Sequence, residues 1–249
     1  MKQLVLLLVG GTALCSYAAN PASDSAIHYK NPWSANNPQN RAASGFAPWI
    51  FDVGTPSPET PFKIDTGNSA FAIPMAGLSG VYVSFTGDGQ LDPGQQYTTT
   101  LIFNAPGHST DGTPTQGFAV IAQSPTVAPN PNYNKFGHQM LGLYLGQTSA
   151  KKYGFGLAIH TLSDENPDQW IELPIKFQSG MSIRLDYIVG SAGAWVLKLY
   201  PSLGNALVLT SSEYGPTWNT TTGVDGVQIF TSQAIEKGHP LEWTSMAVK

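Results

Sequence analysis

The chain has 249 residues, of which 11% are charged, and its formal net charge is -4. No basic run is present that could neutralise a phosphate backbone, which argues against nucleic-acid binding. The 26 glycines and 19 prolines are typical of strands joined by turns.

The first predicted element is a secretory signal peptide over residues 1–18. Lys2 precedes an apolar run, and Ser16 and Ala18 are the small residues of a cleavage site. That run is too short to cross a bilayer, and no later stretch reaches the roughly 18 apolar residues of a membrane helix. The single cysteine, Cys15, lies inside the signal peptide, so the mature chain has no disulfide. We therefore expect a secreted or periplasmic protein with one domain, residues 19–249, and no membrane span.

Strand-like patterns recur along the mature chain between clusters of glycine, proline, asparagine and aspartate. They predict thirteen strands, at 46–53, 69–73, 80–85, 96–103, 117–122, 140–145, 153–161, 169–177, 181–189, 194–200, 206–210, 226–231 and 241–248. One short helix is predicted at 232–237, and surface loops at 55–61, 106–115 and 124–137. This pattern indicates an all-β protein with two packed antiparallel sheets.

The alternation is sharpest in the second half of the chain. In 153–159, large apolar residues alternate with Gly154, Gly156 and Ala158, so one face of that strand packs on a core. The same alternation in 183–189 and 195–199 flanks a short glycine-rich connection, which predicts a β-hairpin.

Several phrases, in this order, resemble those of a known family. They are Tyr29-x-x-x-Trp33, Ser44-Gly-Phe-Ala-Pro-Trp49, Gly67-Asn-Ser-Ala-Phe-Ala-Ile73, Gly87-x-Gly-x-Leu-x-Pro-Gly-Gln95, Gly154-Phe-Gly-Leu157, the hairpin around Trp195, and Gly223-Val-Asp-Gly-Val-Gln-Ile-Phe230. Together they resemble exported bacterial domains of the concanavalin A-like lectin/glucanase superfamily over nearly the whole mature chain. The resemblance implies a jelly-roll sandwich. It implies a carbohydrate ligand only by analogy, because this superfamily includes lectins, hydrolases and lyases.

A retaining glucanase of this fold would carry its catalytic carboxylates at two-residue spacing on one strand, so that they project from one face. No such run occurs. The nearest cluster, Asp164-Glu165 with Asp168 and Glu172, fits a solvated turn better than a catalytic pair. No cofactor is expected, but the oxygens of Asp164, Glu165 and Asp168 are candidate ligands for a structural calcium ion.

A lyase of this fold would need a histidine and a tyrosine beside a strand-borne arginine and glutamine. His160 ends one predicted strand, and Arg184 and Tyr187 lie on a later one that we expect to neighbour it. No motif joins them to a glutamine, so a structural role for His160 is the alternative.

Aromatic residues are the remaining indication of a ligand site, because sugars stack on flat rings and bond to nearby amides. Trp33, Trp49 and Trp195 are expected in the core. Trp170 and Trp218 are candidate ligand-binding residues, together with Tyr214 and Asn219 beside Trp218. The alternative for both tryptophans is a buried loop anchor.

Three functions stay open at this point. The first is a non-catalytic module that binds a polysaccharide or other glycan, or another surface. The second is a glycoside hydrolase or polysaccharide lyase with an atypical site around Asp164, Glu172 and His160. The third is a structural extracellular or envelope protein, which predicts self-association without sugar binding.

Overall fold

A computed structural model describes residues 22–29, 33, 46, 49–53, 62–73, 79–84, 91–105, 116–122, 139–147, 152–160, 169–215, 224–231 and 240–249. Within these ranges the chain forms fifteen strands. They are β1 (Ala22–Ser25), β2 (Ile50–Val53), β3 (Lys63–Asp65), β4 (Ala70–Ile73), β5 (Ser79–Ser84), β6 (Gln96–Phe103), β7 (Gln116–Ala122), β8 (Gln139–Gln147), β9 (Tyr153–His160), β10 (Gln169–Lys176), β11 (Met181–Val189), β12 (Trp195–Pro201), β13 (Leu207–Thr210), β14 (Val224–Thr231) and β15 (Leu241–Val248). A one-turn helix, α1 (Ser211–Tyr214), follows β13, and 3-10 turns form at Ala26–His28 and Ser191–Gly193.

The strands form two antiparallel sheets. The eight-stranded sheet has the order β13-β12-β11-β6-β15-β4-β3, with β1 also paired to β15. The seven-stranded sheet has the order β10-β9-β8-β7-β14-β5-β2. Strand β15 pairs with β6 on one side, and on the other side it pairs first with β4 and then with β1.

All thirteen predicted strands are present, with bounds within a few residues of the predicted ones. Strands β1 and β3 and helix α1 were not predicted from the sequence. The predicted signal peptide, the predicted helix at 232–237 and the three predicted loops lie outside the described residues.

The alternation predicted for the second half is confirmed. Phe155, Leu157 and Ile159 are fully buried in the core between the sheets, and the glycines and alanine between them occupy the opposite face of β9. Strands β11 and β12 pair in register from Ile183↔Pro201 to Val189↔Trp195, around the turn at Ser191–Gly193.

Aromatic residues fill one end of the core. Trp33 is 0% exposed and its ring contacts those of Tyr29, Trp49, Phe51, Phe62, Phe71 and Trp243 at centroid distances of 4.7–6.3 Å. The edge-to-face geometry of most of these pairs is the arrangement that the aromatic quadrupole favours. Trp49 and Trp195 are buried as well, so the expectation that Trp33, Trp49 and Trp195 belong to the core is confirmed.

The N-terminal strand is attached to this aromatic cluster by a buried carboxylate. Asp24 is 1% exposed, and its Oδ2 accepts hydrogen bonds from the Tyr29 hydroxyl at 2.7 Å and from Trp49 Nε1 at 3.2 Å. The Ser25 amide donates to Asp24 Oδ1 at 2.8 Å. Burial raises the pKa of Asp24 above the usual carboxyl value.

Candidate functional site

The edge strand of the seven-stranded sheet carries accessible side chains on its outer face. Leu173 and Ile175 of β10 are buried against the core, whereas Glu172 and Lys176 are exposed and Trp170 is half-buried. The β9 pairing shifts register between Glu172 and Lys176, where a proline interrupts the strand. An edge strand tolerates this proline because it has no neighbour on one side. We call Trp170, Glu172 and Lys176 the β10 row.

The Trp170 indole lies face-on against the neighbouring strand. Trp170 pairs with Ala158, and the ring reaches diagonally to Gly156 of β9. A Cβ added to Gly156 would stand almost equally close to three consecutive atoms of the six-membered ring, closer than real Cβ atoms ever approach. Glycine at position 156 therefore allows the flat face of the indole to rest on the backbone.

A second ring is placed in the same way one strand further in. Tyr144 of β8 pairs with Gly156, and its ring lies over Gly142 of its own strand, where a Cβ would collide with two ring carbons and the hydroxyl oxygen. Tyr144 is 0% exposed, as is Gln228 of β14 on the same face of the sheet. Among the side chains that the structure describes on this face, Tyr144 and Gln228 are thus shielded from solvent, whereas those of the β10 row are accessible.

The chemistry of the β10 row combines a flat apolar surface with two charges. An indole stacks on the C–H face of a sugar ring, a carboxylate accepts hydrogen bonds from hydroxyls, and an ammonium group attracts an acidic sugar. Residues 170–176 span about 20 Å of strand. The arrangement can therefore contact several units of an extended chain, but it presents one carboxyl group and not the pair that glycoside hydrolysis requires.

The predicted ligand-binding residues do not all fall at this site. Tyr214 lies in helix α1, which follows the edge strand of the eight-stranded sheet, and it packs against the core. It therefore belongs to the other sheet from Trp170. The predicted Trp218 and Asn219, and the calcium candidates Asp164, Glu165 and Asp168, lie outside the described residues.

The expected neighbourhood of His160, Arg184 and Tyr187 is wrong. His160 ends β9 in the seven-stranded sheet, whereas Arg184 and Tyr187 belong to β11 in the eight-stranded sheet. Tyr187 is buried in the core, and Arg184 projects from the opposite face, where its guanidinium lies 4.1 Å from the centroid of the Tyr200 ring. Residues on opposite faces of one strand cannot meet around a single sugar.

A second polar group, which the sequence did not predict, lies where β3, β4, β6 and β15 meet on the outer face of the eight-stranded sheet. It consists of Asp65, Asn68, Asn104 and Glu242, which we call the carboxyl cluster. Asn68 Nδ2 donates to Asp65 Oδ2 at 3.2 Å and lies 3.4 Å from Glu242 Oε2, and Asn104 Nδ2 donates to Glu242 Oε2 at 3.1 Å. The carboxyl groups of Asp65 and Glu242 therefore lie around the same amide nitrogen, and each shifts the pKa of the other.

The environment shifts the pKa values of these two acids in opposite directions. Burial, followed by the hydrogen bond with Asp65, raises the pKa of Glu242 to about 7. The hydrogen bond from Glu242 lowers the pKa of Asp65, and the Gly67 amide, 2.7 Å from Asp65 Oδ1, acts in the same direction. One signal could have indicated this cluster: Glu242 is an acidic residue between Leu241 and Trp243 in a strand that is otherwise apolar at that end.

The described residues offer neither a metal site nor a membrane helix. Among them, no group of three or more histidine, cysteine, aspartate or glutamate side chains is arranged to hold a metal ion. No helix within the same ranges has the length and apolar character needed to cross a membrane.

No protein-family model and no curated protein matches the sequence. Peanut lectin, solved with a nine-residue peptide, matches the structure with a TM-score of 0.50 at 13% identity, over 92% of this chain and 97% of its own. A legume lectin-like domain from Entamoeba histolytica matches with a TM-score of 0.49 at 9% identity, over 81% and 89% of the two chains. An alginate lyase in complex with an alginate trisaccharide gives 0.45 at 11% identity, over 73% and 81%.

At these identities the likeness concerns the fold alone. The match to peanut lectin, together with the two antiparallel sheets, shows a jelly-roll sandwich of the concanavalin A-like type. The fold class expected from the sequence is therefore confirmed.

Proposed function

We propose that this concanavalin A-like sandwich is an exported, non-catalytic carbohydrate-binding module whose glycan lies along the β10 row. The fold supports a carbohydrate ligand, because lectins use it, and the predicted signal peptide supports export. The side chains of the row itself indicate which class of glycan it would bind.

One observation carries the proposal. The Trp170 indole rests face-on over Gly156 and is only half-buried, so part of a ring that is already held in place is accessible to a ligand. A ring positioned before binding loses little conformational entropy when a sugar stacks on it. Such rigid aromatic residues dominate many binding sites.

The charges in the row favour one class of glycan. Lys176 is exposed on the same strand as Trp170 and would attract a carboxylate, while Glu172 between them would accept hydrogen bonds from hydroxyl groups. A polysaccharide that contains both uronic acid and free hydroxyl groups satisfies both side chains. Alginate is therefore the first probe, and a neutral β-glucan is the comparison.

The test is a binding titration of the mature chain with both polysaccharides, for the wild type, Trp170→Ala and Tyr200→Ala. Tyr200 is the matched control, since it is a half-buried aromatic residue on the outer face of the other sheet. We expect Trp170→Ala to lose at least about tenfold in affinity, equal to about 1.4 kcal/mol, and Tyr200→Ala to bind like the wild type. No binding to any polysaccharide, or equal losses in both variants, would contradict the proposal.

The same assay, extended to Glu172→Gln, tests the catalytic alternative, because Glu172 shares the outer face with Trp170. Release of reducing ends or unsaturated sugars by the wild type, abolished in Glu172→Gln, would establish an enzyme and overturn the non-catalytic assignment. Binding without product release supports the proposal as stated.

A further inference from the structure

The carboxyl cluster places two acidic groups around one amide nitrogen, because Asn68 Nδ2 lies 3.2 Å from Asp65 Oδ2 and 3.4 Å from Glu242 Oε2. Two carboxylates this close repel each other, so a proton on one of them stabilises the pair. Glu242 is 2% exposed, whereas Asp65 is partly exposed and also accepts a hydrogen bond from the Gly67 amide. The buried member keeps the proton, since burial penalises the charged form.

The strands packed against Glu242 place no positively charged side chain next to it among the described residues. Strands β4 and β6 place Ala72 and Ile102 beside it, which are its registered neighbours. Strand β3 contributes Asp65 and the exposed Lys63. Lys63 pairs with Ala72, which in turn pairs with Glu242, so Lys63 lies two strands away from Glu242. Strand β15 contributes no further charged group between Leu241 and Val248.

The cluster also joins parts of the chain that are distant in sequence. Asn68 in the β3–β4 turn lies between Asp65 and Glu242, and Asn104 at the end of β6 donates both to Glu242 and, at 2.9 Å, to the Pro240 carbonyl. Strand β3 is the edge of the eight-stranded sheet. These bonds supplement the three-residue pairings that hold β3 to β4 and β4 to β15.

We propose that the protonated carboxyl group of the buried Glu242, held beside Asp65 by Asn68, is a pH-sensitive latch that holds the β3–β4 hairpin against β15. Loss of the proton leaves two adjacent carboxylates, one of them buried, and the repulsion loosens the hairpin at the edge of the sheet. The latch is independent of the glycan proposal, because it lies on the opposite sheet from the β10 row.

The sign of the effect follows from the two acids. Glu242 has a raised pKa, so its contribution to stability is fully present below pH 4.5, its ordinary value, and is lost as the pH rises through about 7. Asp65 has a lowered pKa, so its contribution is lost only in stronger acid, below the window used in the test. The latch is therefore closed near pH 5 and open near pH 8.

The experiment measures the unfolding equilibrium of the wild type, Glu242→Gln and Glu213→Gln by urea titration at pH 5 and pH 8. The amide introduced by Glu242→Gln keeps the size of the side chain and an oxygen that can accept from Asn68 and Asn104, but it does not titrate. From pH 5 to pH 8, the unfolding constant of the wild type is expected to rise on the order of 100-fold more than that of Glu242→Gln. Glu213, an exposed residue of α1, is the control, and its variant should behave like the wild type.

Hydrogen exchange of the wild type keeps the proposal testable if Glu242→Gln does not fold. After correction for the intrinsic pH effect, protection of the amides in 63–73 is expected to fall between pH 5 and pH 8, while that of the β11–β12 hairpin stays constant. Asp65→Asn should reduce this pH-dependent loss of protection, because it removes the carboxylate that repels ionised Glu242. The proposal would be overturned if the unfolding constants of the wild type and Glu242→Gln had the same pH dependence. It would also be overturned if both hairpins lost amide protection to the same extent.

Discussion

Two glycines of the seven-stranded sheet are each covered by the face of an aromatic ring. Gly156 lies under Trp170 and Gly142 under Tyr144, and at both positions a methyl group would collide with the ring. Glycine is unfavourable in strand interiors because it adds no packing and costs backbone entropy. At these two positions the absent side chain makes room for a ring that covers the backbone.

Replacement of Gly156 by alanine should disturb both binding and stability. The added methyl group must displace the Trp170 indole, so we expect glycan affinity to fall about as far as in Trp170→Ala, with a loss of about 1–3 kcal/mol in unfolding free energy. Polysaccharide titration and urea unfolding of Gly156→Ala measure the two effects.

Gly142→Ala is the matched control, since its methyl group displaces Tyr144 instead of Trp170. It should show a similar loss of stability while retaining most of the affinity. A larger loss of affinity in Gly142→Ala than in Gly156→Ala would show that Tyr144, and not Trp170, positions the ligand.

At the scale of elements, the N-terminal strand depends on one side chain. Among the described strands, β1 pairs with β15 alone, through four residue pairs, and Asp24 attaches it to Tyr29 and Trp49. Isolated strands this short have little stability of their own. The buried hydrogen bonds of Asp24 therefore decide whether β1 stays docked.

We predict that Asp24→Ala lowers the unfolding free energy by about 1–3 kcal/mol, because buried donors lose their carboxylate acceptor. Limited proteolysis should then cleave the chain near β1 sooner than in the wild type. Ser23→Ala changes the exposed neighbour of Asp24 and should leave both measurements unaltered. An unchanged cleavage rate in Asp24→Ala would mean that β15 pairing alone holds the strand.

The strands that we predicted from the sequence are those whose own residue pattern is sufficient to identify them. Strands β9 and β11 alternate over eight or nine residues, and their core faces follow from that period. Strands β1 and β3 have four and three residues and gain their stability from partners far along the chain, so no local pattern reveals them. The carboxyl cluster was missed for the same reason, because Asp65 and Glu242 meet only through the pairing of β3, β4 and β15.

At the scale of the whole molecule, the sandwich is held by its core. The only cysteine is Cys15, so no disulfide can form within one chain. Burial of the aromatic cluster around Trp33 and of the apolar faces of both sheets must supply the stability that secreted domains of smaller size obtain from cross-links.

We therefore predict that a thiol reductant leaves the thermal unfolding midpoint unchanged. A calorimetric scan with and without dithiothreitol measures this, and a non-reducing gel detects cross-linked dimers. A midpoint that falls with reductant would show that the signal peptide is retained and that Cys15 forms a stabilising disulfide between two chains.

The position of β15 also governs when the protein can fold. This strand, formed by residues 241–248, lies inside the eight-stranded sheet, between β6 on one side and β4 and β1 on the other. The pairs Ala22↔Val248 and Phe71↔Trp243 close loops of very large sequence separation, and such high contact order slows folding. The sheet cannot be completed until residues 241–248 have been synthesised, so we expect it to stay incomplete in any nascent chain that lacks them.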